Sequence, residues 1–571
     1  MSRLAVTLLL GVTLLAAWLR LEAGVAGRPT EVEARALGAG WLVDDDATAS
    51  HLRRVELALA GGTVPRADRF LSHPELGELA GLPLFDRLLA AGAQRTLSGT
   101  SADPALRRID EGALEHWMSA VNLWLAAALV LATYWTARAF ASSGPALAAA
   151  VFVAVFPPAV IVGAAGRLDA HVFAATCVAL AAGCLARGLR AREALDGVFL
   201  AFIAGGAFGF ASAISFSALS AFAVAWLACV LACARGLPEL RAARLRTALC
   251  FCVVAALTAQ LFLADVVNEG GAQRMLGSAA RATSFVFMLG ALPLLAASLT
   301  RGDLKRKPFH LVILVAGAGG LVYAARDTLR EFWNARHPFA EQIAAHGWGS
   351  VISLLAVGIG LAIAAWFARR RPSRTGTIAV CGAFVVLAVS SWTAARAGPD
   401  HTQRVEIVRS LRWLRENAPS AGAWNSAVGT TDFGVLADPR AGALIAYHAR
   451  RPAVCSDAVL GSVNEERVVP ALHGTDVEAL VRALRVLDAR YVVVSPLYAT
   501  AETPTEAFAL RLSLADAPAI EGFERVYSSP LRLGVGGRAP RDGSPSGPAI
   551  TIYRVTHKPS EGARGGGFAP R

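Results

Sequence analysis

The chain of 571 residues is too apolar for a water-soluble protein of its size. Hydrophobic residues make up 55% of the sequence and charged residues only 17%, and the mean hydropathy is +0.47. A soluble fold would expose too much apolar surface, so lipid must be part of the solvent. The net charge of +12 does not indicate a nucleic-acid partner, because the basic residues lie in separate short loops and form no basic module.

Eleven apolar stretches, each near the ~20 residues that cross a bilayer, predict a polytopic α-helical membrane protein. They lie approximately at 4–22, 116–138, 144–163, 170–187, 196–213, 215–234, 247–265, 281–299, 309–325, 350–368 and 376–396. The first stretch is also compatible with a cleaved signal peptide. A retained helix is favoured, because the stretch ends in Trp18, Leu19 and Arg20 and not in a small-residue cleavage site.

Basic residues in alternate loops predict the orientation by the positive-inside rule. Four loops carry them: Arg187, Arg190 and Arg192; Arg235, Arg241, Arg244 and Arg246; Arg301, Lys305, Arg306 and Lys307; Arg369, Arg370, Arg371 and Arg374. With the N-terminus inside, these loops are cytoplasmic. The segments that lie outside are then 23–115, 164–169, 266–280, 326–349 and everything after residue 397.

After residue 397 the pattern changes to that of a soluble α/β domain. "RVEIVRSLRWLRENAP" and "DVEALVRALRVLDA" predict amphipathic helices, and "RYVVVSP" and "AITIYRV" predict strands. In the first outer loop, "RRVELALAGG" and "PLFDRLLAAGA" predict two further helices. The expected domains are a membrane domain over 1–396 with its outer loops 23–115 and 326–349, an extracytoplasmic α/β domain over 397–557 and a disordered tail over 558–571.

Three polar clusters lie on the predicted outer face. "DDDATASHLRR" supplies Asp44, Asp45, Asp46, His51, Arg53 and Arg54; "GRLDAH" supplies Arg167, Asp169 and His171; the loop after residue 326 supplies His337, Glu341, Gln342 and His346. Carboxylates suit Mg²⁺, and Mn²⁺ also accepts imidazole. Such a metal neutralises a pyrophosphate leaving group, and Arg53, Arg54 or Arg167 would bind the same diphosphate in bidentate fashion.

Each of these residues also has a structural interpretation. The three acids at 44–46 suit a solvated loop as well as a site, and Asp169 is compatible with a structural ion pair to Arg167. His171 is equally compatible with a hydrogen bond at a helix end, and Glu341 with a solvated surface charge. Asp169 points most strongly to function, because a carboxylate at the lip of an apolar helix is costly without a partner.

At these residues the chain resembles the catalytic subunit of oligosaccharyltransferases, the GT-C enzymes that move a glycan from a polyprenyl diphosphate to asparagine, and the likeness is nearest to their divergent bacterial relatives. The first outer loop matches at Asp46, His51, Arg53, Arg54, Pro65, Asp68, His73-Pro74 and Pro83-Leu84-Phe85-Asp86. The second matches at Gly166-Arg167-Leu168-Asp169-Ala170-His171. "QIAA", residues 342–345, stands where the family carries its fifth-loop glutamate motif, and "FGVLADPRAGALIAYHARRPAV" resembles the segment that carries Trp-Asp.

The resemblance implies a GT-C-like membrane fold of about eleven spans with a C-terminal α/β domain, in a multi-pass protein of the bacterial inner membrane. It implies that Asp46, Asp169 and His171 hold Mn²⁺ or Mg²⁺ and that Arg53, Arg54 and Arg167 bind the donor. Asp46 would also orient or deprotonate the acceptor, with Glu341 as a second catalytic candidate. The partners would be membrane lipid, a polyprenyl-linked sugar donor and a protein or lipid acceptor, whose binding residues stay unassigned.

The chain departs from the family on the acceptor side. Ala345 stands where the fifth-loop glutamate is expected, and Pro439 and Arg440 stand where the Trp-Asp pair is expected. Four interpretations remain open: a transferase using a polyprenyl-diphosphate donor with another acceptor, a transferase using a polyprenyl-monophosphate sugar, a non-catalytic membrane scaffold and a transporter. The transporter is disfavoured, because the spans carry almost no mid-helix charge.

Overall fold

The chain divides into two compact units: Met1–Val25, Leu82–Phe85 and Trp117–Gly398 form the first, and Ala26–Gly81, Asp86–His116 and Pro399–Arg571 form the second. The computed structural model describes residues 3–24, 43, 45–79, 82–97, 111–215, 218–234, 238–267, 283, 286–288, 290–291, 294, 347–369, 382–390, 401–459, 464–499, 507–514, 520–535 and 546–556. Asp44, Glu341 and the predicted tail over 558–571 therefore lie outside the described residues, as do the predicted span 309–325 and most of 281–299.

Among the described residues, the first unit contains helices, and the second unit contains both helices and strands. The helices are α1 (Arg3–Gly24), α2 (Asp46–Gly61), α3 (Pro83–Leu97), α4 (Glu111–Ala137), α5 (Ser143–Val155), α6 (Pro157–Val162), α7 (Ala170–Gly188), α8 (Ala194–Ile214), α9 (Ala218–Ala234), α10 (Pro238–Val267), α11 (Gly347–Arg369), α12 (His401–Asn417), α13 (Glu465–His473), α14 (Val477–Val486) and α15 (Phe508–Arg511). The strands are β1 (Ala67–Asp68), β2 (Gly77–Glu78), β3 (Gly434–Leu436), β4 (Ala489–Val494), β5 (Phe523–Ser528), β6 (Arg532–Gly534), β7 (Ser546–Pro548) and β8 (Thr551–Val555).

Five helices in the described part of the chain are long and apolar enough to cross a membrane. They are Arg3–Gly24, Gly112–Ala137, Ala170–Gly188, Ala194–Ile214 and Ala242–Ala264. Shorter apolar helices run over Ser143–Val155, Val224–Cys233 and Ala356–Phe367. The prediction of a polytopic α-helical membrane fold with a C-terminal α/β region is confirmed.

The span predicted over 144–163 is two helices, α5 and α6, that meet at Phe156. Pro157 and Pro158 begin α6 and have no N–H, so the helical hydrogen-bond ladder is interrupted there. The fully buried Arg20 of α1 supplies a replacement donor: its Nη1 donates to the carbonyl of Ala154 at 3.3 Å and its Nη2 to that of Ala159 at 3.4 Å. The end of α1 is thereby fixed to the break.

Small residues let the helices of the first unit approach closely. Gly205 and Gly209 are one turn apart on α8 and face the backbone of α10. A Cβ at Gly205 would lie 2.6 Å from the carbonyl oxygen of Phe251, and a Cβ at Gly209 would lie 2.5 Å from that of Ala255. This is the small-residue packing typical of membrane helices. A larger side chain at either glycine would separate α8 from α10.

The second unit contains a four-stranded sheet in the order β3-β4-β8-β5. β3 and β4 are parallel, and β8 is antiparallel to both β4 and β5. Apolar side chains of α13, α14 and α15 join the sheet in one core, which includes Val468, Leu480, Leu484, Val492, Phe508 and Tyr553. Both amphipathic helices and both strands predicted after residue 397 are present, as α12, α14, β4 and β8.

Candidate functional site

In the first unit, the predicted residues Arg167, Asp169 and His171 lie together at the start of α7. Gly166 precedes them with φ +85°, a backbone conformation that glycine adopts without strain. Asp169 is the N-cap of α7, and its Oδ1 accepts the backbone N–H of His171 at 2.7 Å. This cap fixes one carboxylate oxygen and leaves the other for a further partner.

Hydrogen bonds from neighbouring helices hold this cluster in place. His171 Nδ1 lies 2.9 Å from Ser215 Oγ, at the end of α8. The side-chain amide of Asn122, in α4, donates to the backbone carbonyl of Arg167. All three side chains of the cluster are half-buried. These contacts fix the Arg167 backbone and the His171 side chain, and the helix cap fixes the Asp169 side chain.

The functional atoms of this cluster remain available. Within the part of the chain that the structure describes, the Arg167 guanidinium, Asp169 Oδ2 and His171 Nε2 have no hydrogen-bond or ion-pair partner. In particular, Arg167 and Asp169 do not form the ion pair that the sequence left open. A guanidinium, a carboxylate oxygen and an imidazole at one helix end can together bind an anion and a cation.

In the second unit, α2 carries the polar residues of the first outer loop. Asp45 is its N-cap and accepts the N–H of Thr48 at 2.9 Å, and Gly62 ends it with φ +76°. Asp46, His51, Arg53 and Arg54 therefore lie on one regular helix, which the pattern "RRVELALAGG" predicted in part. The helix presents them to different neighbours within the unit.

Asp46 serves as the cap of a second helical segment. Its Oδ1 accepts the N–H groups of Ala443 at 2.6 Å and Leu444 at 3.2 Å, and its Oδ2 lies 3.1 Å from Ser456 Oγ. Burial, and then the charge of Asp457, raise the pKa of Asp46 well above its ordinary value. Both carboxylate oxygens are thus engaged before any metal or acceptor is considered.

Arg53 is fully buried in a paired and stacked environment. Its Nε and Nη2 donate to the carboxylate of Asp68, the latter at 2.9 Å. Its guanidinium carbon lies 4.6 Å from the ring centre of Phe70 and 3.9 Å from that of Trp424. Its role as a donor ligand stays a prediction, but these contacts already use the guanidinium.

Arg54 and His51 converge on one carboxylate. Arg54 Nη1 lies 2.9 Å from Asp86 Oδ2, and His51 Nδ1 lies 2.5 Å from Asp86 Oδ1. Arg54 and Asp86 are buried, whereas the His51 side chain is 17% exposed. Asp86 lies in the first turn of α3, within the element "PLFDRLLAAGA". It belongs to the Pro83-Leu84-Phe85-Asp86 motif of the family resemblance, and in this structure it binds two side chains of α2.

Pro439 and Arg440, at the place of the family's Trp-Asp pair, lie in a short 3₁₀ turn that Asp438 caps. Arg440 donates to both carboxylate oxygens of Asp438, at 2.8 and 2.9 Å, and to the carbonyl of Tyr498. The hydrogen bond to Asp438 raises the pKa of Arg440. The Arg440 side chain is exposed and Asp438 is buried, and their ion pair closes this loop on itself.

Two buried titratable residues of the second unit were not predicted as site residues. Burial raises the pKa of Glu78 to about 7, and its Oε1 has no described hydrogen-bond partner. Burial lowers the pKa of His73 to about 4; its Nδ1 lies 2.6 Å from Thr431 Oγ1, and its Nε2 has no described partner. His73 belongs to the His73-Pro74 element of the first outer loop, but the sequence does not show the burial that shifts the pKa of either residue.

The described residues supply only part of a metal site. Asp169 and His171 offer a carboxylate oxygen and an imidazole nitrogen, which Mn²⁺ accepts. Among the described residues, no group of three His, Cys, Asp or Glu residues is placed to hold an ion. Asp46 belongs to the second unit, and Asp169 and His171 to the first.

Oligosaccharyltransferases are among the solved structures to which this chain is similar. No family model and no curated protein matches the chain. The Archaeoglobus fulgidus oligosaccharyltransferase tethered with an acceptor peptide aligns over 97% of this chain and 89% of that chain, with a TM-score of 0.70 and 13% identity. The archaeal oligosaccharyltransferase AglB from Archaeoglobus fulgidus, with an inhibitory peptide and a dolichol-phosphate, aligns over 97% and 88%, with a TM-score of 0.67 and 12% identity.

A third similar structure bears on metals. The Archaeoglobus fulgidus oligosaccharyltransferase in complex with Zn and sulfate aligns over 96% of this chain and 88% of that chain, with a TM-score of 0.62 and 13% identity. At these identities the similarity shows the fold alone. The chain has the fold of these oligosaccharyltransferases, and the fold class that the sequence resemblance implied is confirmed.

Proposed function

We propose that the protein is an integral-membrane glycosyltransferase that takes its sugar from a polyprenyl-diphosphate-linked donor on the outer face of the membrane. The observation that carries this proposal is the cluster at the start of α7. There, the guanidinium of Arg167 and one oxygen of Asp169 have no partner among the described residues. Half-buried ionisable groups at the end of an apolar helix are costly unless a ligand compensates them.

Arg167 is the proposed donor ligand in this cluster. A guanidinium binds a phosphate through two parallel hydrogen bonds, which fixes the orientation of the phosphate as well as its position. Asn122 holds the backbone of Arg167 by donating to its carbonyl. The developing negative charge of a departing polyprenyl diphosphate would thus meet a positioned positive charge at the lip of the membrane.

Asp169 and His171 are the proposed cation ligands beside that phosphate. A carboxylate next to a diphosphate repels it unless a cation lies between them, and Mn²⁺ and Mg²⁺ both accept carboxylate oxygen. The cap and the Ser215 contact orient the two side chains. Since the described residues do not complete a metal site, we assign no step of the transfer to a metal.

The acceptor is proposed to be a protein or another hydroxyl- or amide-bearing molecule on the outer face of a bacterial inner membrane, with the second unit on that side. Asp46 and Glu341 remain the proposed acceptor-side acids. Pro439 and Arg440 stand where the family carries its Trp-Asp element, and they give no reason to expect recognition of an asparagine sequon.

A non-catalytic membrane scaffold is the second candidate. It is favoured by the contacts of α2, because Asp46, Arg53 and Arg54 all engage partners within their own unit. A scaffold keeps such contacts for stability and needs no donor. The two candidates therefore differ in whether the protein binds a polyprenyl-diphosphate sugar through Arg167.

Donor binding by the purified full-length protein tests the proposal. A fluorescent polyprenyl-diphosphate-linked sugar should bind the wild type, and Arg167→Gln should weaken that binding by about 10- to 100-fold, the loss expected for a charge-assisted bidentate contact. Arg192→Gln, an exposed arginine at the other end of α7, is the matched control and should bind as the wild type does. Equal binding by Arg167→Gln and wild type would favour the scaffold.

A further inference from the structure

An apolar cavity of about 870 Å³ lies among α7, α8, α9, α10 and α11, all in the first unit. Its walls are almost entirely aliphatic or aromatic, with Val178 and Leu185 of α7, Phe208 of α8 and Ile359 of α11 among them. Along α9 the lining runs from Ala221 to Ala232, a length of roughly 16 Å. The volume is within the range of ligand-binding pockets, and the shape suits a hydrocarbon chain.

Two arginines, Arg190 and Arg244, lie at one end of this cavity and line it. Arg244 donates through Nε to the carbonyl of Leu189 at 3.1 Å and through Nη1 to that of Ala232 at 3.0 Å. Arg190 donates through Nη1 to the carbonyl of Ala139. Backbone carbonyls thus aim both guanidiniums, and each keeps a nitrogen free of described partners.

No acid neutralises these arginines in the described part of the chain. The acids nearest to Arg190 in sequence, Glu193 and Asp196, are exposed, and neither forms a described ion pair with Arg190 or Arg244. The same end of the first unit carries the basic loops that the positive-inside rule places in the cytoplasm. Two guanidiniums at the mouth of an apolar cavity match one ligand chemistry, a hydrocarbon chain with an anionic head group.

We propose that this cavity binds an anionic phospholipid of the cytoplasmic leaflet, with one acyl chain between the helices and the phosphate on Arg190 and Arg244. The donor lipid is not the occupant, because α7 separates the two charged sites. Asp169 begins this 19-residue helix and Arg190 follows its end, so the two sites are roughly 28 Å apart along the helix axis. That distance is about the thickness of the hydrocarbon core.

Native mass spectrometry of the full-length protein tests the head-group contacts. From an equimolar mixture of phosphatidylglycerol and phosphatidylethanolamine, the wild type should retain phosphatidylglycerol. The double variant Arg190→Gln/Arg244→Gln should bind it roughly 30-fold more weakly, because each arginine near an anionic head group contributes an affinity factor of about five. Arg246→Gln, exposed on the same helix as Arg244 and outside the cavity lining, should bind as the wild type does.

A second variant tests the acyl-chain contacts without altering charge. Ala228→Phe fills the cavity and should abolish lipid retention, whereas Leu227→Phe, on the neighbouring face of α9 outside the lining, should leave it unchanged. Equal retention of both lipids by the wild type, or unchanged retention in the double arginine variant and in Ala228→Phe, overturns the proposal. If an equimolar polyprenyl phosphate displaces phosphatidylglycerol from the wild type, and the double variant does not bind the polyprenyl phosphate, the choice of phospholipid as the occupant is overturned.

Discussion

The carboxylate of Asp46 accepts the backbone N–H of Ala443 at 2.6 Å, which makes it a cap for a helical segment far along the chain. Gly442–Leu444 and the π-helical residues Ile445–Ala449 follow one another there without a break. The first helical turn has N–H groups with no partner in their own helix. A residue predicted as a metal ligand thus satisfies two of them.

Replacing Asp46 by Asn should change stability little at pH 7, whereas Asp46→Ala should cost about 1–3 kcal/mol. Burial raises the pKa of Asp46 and so favours its neutral carboxyl form, which an amide matches in shape and charge. Its oxygen accepts the N–H groups of Ala443 and Leu444, and its NH₂ donates to Ser456 Oγ. Thermal unfolding of both variants measures the difference. Equal losses in both variants would contradict this reading of the Asp46 contacts.

The pair of Arg53 and Asp68, in which both side chains are buried, should be far more sensitive to substitution than the pair of Asp438 with the exposed Arg440. In both pairs the aspartate caps a 3₁₀ turn and accepts two hydrogen bonds from the arginine. Asp68→Asn keeps the cap but leaves a buried cation unpaired, at a cost of about 3–5 kcal/mol.

The matched control for that variant is Asp438→Asn. The Arg440 side chain is 46% exposed, so water compensates the loss and the cost should stay below about 1 kcal/mol. Thermal unfolding compares the two. If Asp68→Asn is no more destabilised than Asp438→Asn, the contact between Arg53 and Asp68 does not act as a buried ion pair.

Glu78 should make the stability of the second unit fall as the pH rises. Burial raises its pKa from 4.5 to about 7, so the folded state holds the proton more tightly than the unfolded chain. The stabilising contribution is complete below pH 4.5 and is lost as the pH rises through about 7. Ionisation should cost on the order of 2 kcal/mol after allowance for the partial solvation of the group.

The variant Glu78→Gln removes this dependence. It should raise the unfolding temperature at pH 8 and leave it close to that of the wild type at pH 4.5. Glu466→Gln, an exposed glutamate of α13, should have no effect at either pH. Parallel profiles of wild type and Glu78→Gln across this range would show that the carboxyl group ionises normally.

Periodicity and capping predict the elements of this protein better than they predict the contacts between them. The apolar runs of α7 and α8 and the amphipathic pattern of α14 each concern one segment, and the structure contains all three. The sequence predicts one span over 144–163 because its apolar run is continuous. The two prolines that begin at Pro157 lack N–H groups, and this loss interrupts the helix there. The partners of α2 were harder to predict, because Trp424 and Ala443 come from a part of the chain that sequence spacing does not connect to Arg53 or Asp46.

Asp169 should contribute to Mn²⁺ binding through charge, separately from its role in the helix. Asparagine caps helices about as well as aspartate, so Asp169→Asn should preserve α7 while removing the carboxylate. The affinity for Mn²⁺ should fall at least about tenfold, because roughly one charged ligand interaction is lost. His171→Ala should also weaken binding. Calorimetry on the full-length protein measures both.

The matched control is Asp476→Asn. Asp476 is an exposed N-cap that accepts the same kind of hydrogen bond, from the N–H of the residue two positions later, and its substitution should leave the affinity for Mn²⁺ unchanged. Wild-type affinity in Asp169→Asn would reduce Asp169 to a helix cap and remove it from the proposed site.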